Sequence, residues 1–457
     1  MEDTPSWRFA AAWAKMDGMG AGHSHAHDHA HGGGDHGGWE DWLASTRLRA
    51  VIAGLAVSLI AALVGLILLF PTGQGTQDAI AAAEQIGLST QRIAANVITS
   101  ENAPCSFSTD EFQVECRQLV LDVLEGPDAG TVLVLPEINL EIERGIPEFE
   151  EGDEIALGFI PSTNTYFYED PARTTPLVVL AVLFAVIVIA FGRARGLLAL
   201  FAMAITVAVL VGFVAPSVLD GNDPVLVALI AAALIAFSSL FLTHGFNPTT
   251  AVALAGTLSA LGLTFVLSWV FFDLANFTGF ASTESLVLPV LNQDLRLSSL
   301  LLGGAIIGAL GALDDVTVTQ VSLVSELRRS NPQMPSKKLI TSGLSVGRDH
   351  IAATVNTLLL AYAGASLPVL LLFAASEQTL AQVANSEIVA VEIVRTLTGS
   401  IGLIGAVPLT TALAASILPP AKDAEASSGS DELIDLRERD ALDTEPAWDD
   451  FSPDTQG

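Results

Sequence analysis

The apolar residues of this chain come in blocks of about 20, almost free of charge, and a helix of that length covers the hydrocarbon core of a bilayer. Eight such blocks run Leu48–Phe70, Pro176–Phe191, Gly196–Val218, Pro224–Thr243, Thr249–Phe272, Leu297–Thr317, Ile351–Ala374 and Thr396–Leu418. Lipid offers no hydrogen bonds, so a spanning segment must satisfy its backbone internally, and each block is read as a transmembrane helix. The expected fold class is a polytopic α-helical membrane protein with about eight spans.

Positive charge orients the spans. Arg47 and Arg49 precede the first, Arg193 and Arg195 follow the second, and Arg328, Arg329, Lys337, Lys338 and Arg348 lie between the sixth and seventh. With eight alternating spans all of these fall on one side, which the positive-inside tendency makes cytoplasmic. Both termini are then inside. The loops at 220–223, 273–296 and 376–395 are outside. The polar, His-rich start lacks a short basic region ahead of the first block, so that block is expected to be a retained helix.

The resulting division is a cytoplasmic head over 1–46, a first transmembrane helix over 47–70, an extracytoplasmic domain over 71–174, a seven-helix bundle over 175–420 and an acidic disordered tail over 421–457. In the outside domain QDAIAAAEQIGL reads as helix. From Cys105 onward, alternating runs such as FQVECRQLVLDV and DEIALGFI, punctuated by Gly, Pro and Asp, read as strands. About 100 residues of short strands are expected to close as a small OB-like β-barrel. Its acidic residues fall in turns or on exposed strand faces, which reads as a solvated surface.

The formal net charge of -30 argues against nucleic acid as a partner. It suits metal cations, basic partners or solvated surfaces. The chain has two cysteines, Cys105 and Cys116, both in the outside domain. A disulfide is permitted there, and two buried free thiols are the alternative.

The head carries HSHAHDHAHGGGDHGG, in which His23, His25, His27, His29, His31 and His36 alternate with small or acidic residues. Imidazole suits Zn or Ni. The glycines exclude a packed core, so metal is expected to be held loosely by a flexible tract. The bland alternative is a low-complexity tail whose metal binding is incidental. No cofactor is required by any other feature.

The sixth block carries Gly304, Gly308 and Gly311 on one helix face, and small residues let helices approach closely in lipid. The same stripe continues through Asp315, Thr319, Ser322 and Glu326. Asp314 and Asp315 are expected at or just inside the cytoplasmic end of the span, where an ionisable group is a functional candidate. Arg348, Asp349 and His350 enter the seventh block from the same side, followed by Asn356 and Gly364. The glycine stripe is expected to pack antiparallel against Ala353, Ala361, Ala363 and Gly364, bringing the aspartates to Arg348 and His350. Imidazole suits both proton relay and metal binding, so His350 is a candidate for either. The competing readings are a plain helix exit and a structural ion pair. Glu392 and Arg395 read as an exposed helix pair. The chain has no phosphate loop, nucleophile elbow, HExxH pair or dinucleotide-binding glycine pattern, so it is not expected to be an enzyme.

Two stretches, GALGALDDVTVTQVSLVSELRRSNP and GRDHIAATVNTLLLAYAGASLPVLLLF, together resemble the signature of the YibE/F family of bacterial membrane proteins. The resemblance covers roughly residues 47–420. It implies a permease-like protein of the bacterial cytoplasmic membrane and brings no assigned catalytic residues. The expected function is a secondary transporter or exporter with a path between the sixth and seventh spans. Transport and coupling are assigned to Asp314, Asp315, Thr319, Arg348, Asp349, His350 and Asn356, with protons as coupling ion and a divalent metal as cargo. The rival is a non-transporting scaffold whose outside domain binds a partner or peptide. Beyond the bilayer and a metal ion, the expected partners are another membrane protein or a second copy.

Overall fold

The computed structural model describes residues 45–85, 91–109, 112–143, 145–161 and 163–418. Helix α1 (Thr46–Leu68) is followed by α2 (Gln74–Gln85) and six strands: β1 (Gln91–Pro104), β2 (Glu115–Val123), β3 (Val132–Val134), β4 (Ile138–Asn139), β5 (Glu154–Ile160) and β6 (Thr165–Pro171). The remainder is helical: α3 (Thr174–Leu219), α4 (Pro224–His244), α5 (Pro248–Leu274), α6 (Thr283–Leu291), α7 (Leu297–Ser330), α8 (Ser336–Ala365), α9 (Leu367–Ala374), α10 (Leu380–Asn385) and α11 (Glu387–Ile417).

Six described helices, α1, α3, α4, α5, α7 and α11, are long and apolar enough to cross a membrane; the pair α8–α9, bent by 66°, brings the number to seven if it counts as one span. The second and third expected spans share α3, which is not straight. Arg193 has φ 49° and ψ -130°, outside helical geometry. A Cβ on Gly196 would strike the carbonyl oxygen of Val188, eight residues earlier. Along a straight helix those residues stand about 12 Å apart. The chain therefore doubles back at Arg193, and its returning arm ends beside α1. There Ser217 Oγ donates to the Leu69 carbonyl at 2.8 Å. Asp220 accepts from the Thr72 hydroxyl at 2.8 Å and from the backbone N–H groups of Thr72, Gly73 and Gly75. Burial alone raises the pKa of this carboxyl, but those donors stabilise its charged form more, and the net shift is downward.

The expected seventh span, Ile351–Ala374, is likewise broken. Helix α8 ends at Ala365, and Pro368 sits in the first turn of α9. Proline has no N–H and clashes with the preceding turn, so a new helix starts there in a new direction.

The bundle packs through glycines. Gly256 faces Thr410, and Gly402 faces Thr264. A Cβ on Gly303 would stand 3.0 Å from the Pro224 carbonyl oxygen. Around these crossings Leu254, Ile306, Leu313 and Leu403 are fully buried.

The sheet is antiparallel, in the order β3-β2-β1-β5-β6, with β4 also paired to β2. Ile93, Ala95 and Val97 on β1, Leu119, Leu121 and Val123 on β2, and Ile155, Leu157 and Phe159 on β5 point into one core. The two-residue period is that of strands buried on one face. Cys105 and Cys116 are joined by a disulfide, with Cα atoms 4.8 Å apart, at the end of the β1–β2 ladder where Ala103 pairs Cys116. The expected OB-like barrel is not formed: among the described residues nothing pairs β3 with β6, and the sheet is open. Strand β3 is three residues long, β4 two, and Pro136 lies between them. Those strands are too short to carry a ladder around to β6.

Candidate functional site

Helix α7 is the axis of the site. Leu313, Val316, Thr317, Gln320, Val321, Val324 and Arg328 are buried at helical spacing. One continuous face is therefore held against α5, α8 and α11 well beyond Thr317. Arg328 closes its far end by donating to the Met334 and Ala415 carbonyls at 2.9 and 3.2 Å. Asp314 is seventeen residues from Leu297 and sixteen from Ser330, in the middle of the helix. Beyond Thr317 the Gln320 amide makes its bonds inside the bundle, while Thr319 and Ser322 are exposed.

Asp314 Oδ2 accepts from Ser239 Oγ on α4 at 3.2 Å. Its other oxygen, Oδ1, is enclosed and has no hydrogen-bond partner among the described residues. One turn on, the Thr317 and Thr257 hydroxyls meet at 2.6 Å, joining α7 to α5. A further turn on, Gln320 Nε2 donates to the Gly343 carbonyl at 2.9 Å and to Thr411 Oγ1 at 2.8 Å, joining α7 to α8 and α11. Helix α8 reaches this amide because Gly343 and Gly347 have no side chain. A Cβ there would stand 2.9 Å from the Thr411 methyl and 2.6 Å from a Val407 methyl. A belt of buried and part-buried polar groups thus crosses five helices of an otherwise apolar bundle.

The other residues singled out in the sequence border this belt from the open side. Asp315, Thr319, Arg348, Asp349 and Asn356 are exposed. His350 is half-buried, and its Nε2 is enclosed without a partner among the described residues. Helices α7 and α8 are antiparallel: Gly308 lies against the Tyr362 hydroxyl, and Gln320 against Gly343 and Gly347. Asp314 and Asp315 fall between those two contacts, at the level of residues 350–356. Among the described residues no ion pair joins Arg348 to either aspartate; Asp314 is directed to α4 instead.

The expected glycine seam differs in its members. Gly304, Gly311 and Gly364 have open space where a Cβ would be, and Gly308 meets only the Tyr362 hydroxyl, at 3.3 Å. The close contact to α4 is made by Gly303, about 100° around the helix from Gly304. After Gly347 no residue of α8 is buried. The pair Glu392 and Arg395, expected to be exposed, is 2.7 Å apart with side chains 28% and 20% exposed, so it is part-buried.

Ser239, Thr257, Gln320 and the pair Gly343 and Gly347 escaped the sequence reading; Thr411 was legible only as a hydroxyl beside Pro408. A signal existed for one of them: Asp314, Thr317 and Gln320 recur every three residues and so share a face. Gly343 and Gly347 lie before the apolar block at Ile351, in a stretch too polar to read as membrane-buried. The histidines at 23–36 lie outside the described residues. Among the described residues no three His, Cys, Asp or Glu side chains gather to hold a metal ion.

Residues 180–420 match a family model described as YibE/F-like protein. The chain belongs to the YibE/F family. No curated protein and no solved structure matches it. The YibE/F region begins within α3 and takes in every member of the polar belt. Helix α1, the disulfide and the sheet lie outside it.

Proposed function

We propose that this YibE/F protein is a permease-like transporter or exporter in which protons are coupled through Asp314 and His350. The observation that carries the reading is Asp314: a part-buried carboxyl midway along α7, with one oxygen held by Ser239 and the other enclosed without a partner among the described residues. A charge in that position is costly, by about 3 kcal/mol at the centre of a bilayer. A carboxyl in that position offers one site to either a proton or a cation, which is the chemistry an exchanger needs. The path runs along α7 and α8, where Asp315, Thr319, Arg348, Asp349 and Asn356 offer polar groups at the same level.

Reading the α3 hairpin as two crossings and the α8–α9 pair as one gives eight. The arginine and lysine distribution then puts both termini in the cytoplasm of a bacterium and the sheet domain outside, where its disulfide is stable. The proposed cargo is a divalent metal ion, supported by the His-rich tract and the net charge of -30. The direct test is an uptake-and-efflux screen across divalent metals in proteoliposomes, with Asp314→Asn as control. Metal flux in the wild type that the variant loses is the expected result; no flux of any divalent metal removes this cargo. One observation favours the scaffold reading: β6 is a seven-residue edge strand able to pair with an extended peptide. Peptide binding to the outside domain in the absence of any flux would favour it.

A further inference from the structure

The break between α8 and α9 opens a cavity of about 220 Å³ against α11. Its lining falls between residues 359 and 397, inside the described stretch 163–418. The walls are apolar, with Leu359 and Leu370 on one side and Ile388 and Ile393 on the other. Four polar side chains reach it: Tyr362 and Ser366 at the break, and Glu392 and Thr396 on α11. Glu392 is the one charged residue of the lining. The Thr396 hydroxyl donates to the Glu392 carbonyl at 2.7 Å. The Tyr362 and Ser366 hydroxyls make no hydrogen bond among the described residues.

Glu392 is only half engaged. Its Oε1 accepts from Arg395 Nη1 at 2.7 Å, and its Oε2 accepts nothing among the described residues. Arg395 holds the carboxylate from outside the lining, and its own Nε is enclosed without a partner among the described residues. An apolar pocket with a few convergent polar groups is the ordinary form of a small-molecule site. A cavity of about 150 Å³ is enough for benzene, so this one has room for a single aromatic ring and a short polar arm. The surroundings set the sign of that arm. Helix α8 ends at Ala365, which brings the negative end of its dipole to the cavity. A broken membrane helix offers its C-terminal carbonyls to cations, and Glu392 adds a carboxylate to them.

We propose that the cavity binds a small aryl-alkyl ammonium ion, with its ring among Leu359, Leu370 and Ile393 and its ammonium group on Glu392 and the Tyr362 hydroxyl. Arg395 is then the resident counter-cation, competing with the ligand for one carboxylate. The site shares no residue with the polar belt around Asp314. The proposal does not rest on the transport reading, because binding alone tests it.

The test uses the full chain in nanodiscs of phosphatidylcholine, which has no net charge, and isothermal titration calorimetry near neutral pH, with empty nanodiscs as the blank. The probe is phenethylammonium; phenethyl alcohol keeps the ring without the charge, and ammonium chloride keeps the charge without the ring. Phenethylammonium is expected to bind saturably, and each comparison compound at least about tenfold more weakly, the scale of one charge-assisted contact. Glu392→Gln should cost the same factor. Ala363→Phe keeps both charges but fills the cavity, and should abolish binding. Arg395→Gln should tighten binding, because the competing cation is gone, whereas an arginine that only braces Glu392 would weaken it on removal. No saturable binding, equal affinity for either comparison compound, unchanged affinity in Glu392→Gln or Ala363→Phe, or weaker binding in folded Arg395→Gln overturns the proposal.

Discussion

Gln320 illustrates what one residue does here. Its amide satisfies a backbone carbonyl of α8 and a hydroxyl of α11 in a region where water cannot. Gln320→Leu should lower stability by about 1 kcal/mol, the scale of polar contacts between helices in lipid, and should loosen α8 in particular. Thermal melting together with proteolysis between α7 and α8 checks this; an unchanged cleavage rate would contradict it. In the sheet domain Tyr166 donates to Asp128 at 2.8 Å. Burial, then that hydrogen bond and the Asp128 charge, push the phenol up to about 12 from 10.0. The folded state holds this proton more tightly than the unfolded chain. The linked stability is therefore present below pH 10 and lost as pH rises towards 12. Tyr166→Phe should flatten that alkaline dependence, read as the melting temperature of the sheet domain against pH. Asp220 works in the opposite direction. Its lowered pKa stabilises the junction of α1 and α3 above the ordinary carboxylate range and releases it as pH falls through that range.

At the scale of elements, the α3 hairpin depends on one glycine. Gly196→Ala places a methyl where the Val188 carbonyl stands, and should lower expression and melting temperature; Gly192→Ala, with nothing within 4 Å, should do neither. Equal behaviour of the two variants would contradict the fold-back. Hydropathy made α1, α4, α5, α7 and α11 legible because each carries an apolar run of membrane length. It cut α7 short at Thr317, since a polar residue satisfied by a partner helix looks the same in sequence as one facing water. It missed β1, whose QRIAANVITS is interrupted by Ala94, Ala95 and Asn96 and takes its strand form from two long-range ladders. Whether β3 meets β6 depends on pairings far apart in the chain, which no local pattern records. Of the site, Asp314 was legible as a charge within a long apolar helix. Its partner Ser239 was not, because a serine in an apolar helix is common and only packing distinguishes it.

For the whole molecule, the account joins an apolar bundle, a polar belt across it and an open polar face on α7 and α8. In membrane-embedded protein, a cysteine at position 193 should be labelled from the side that carries Lys337 and Lys338, and one at Gly126 from the other. Labelling of both from one side would remove the eight-crossing arrangement. The central claim is that Asp314 carries the coupling proton. The most direct measurement is proton flux into voltage-clamped proteoliposomes, followed by an internal pH dye, for wild type and Asp314→Asn at matched protein density. The account predicts cargo-dependent flux in the wild type and a loss of ~100-fold in the variant, the order of a removed proton-transfer group, with melting temperature near wild type. Undiminished flux in folded Asp314→Asn would contradict it.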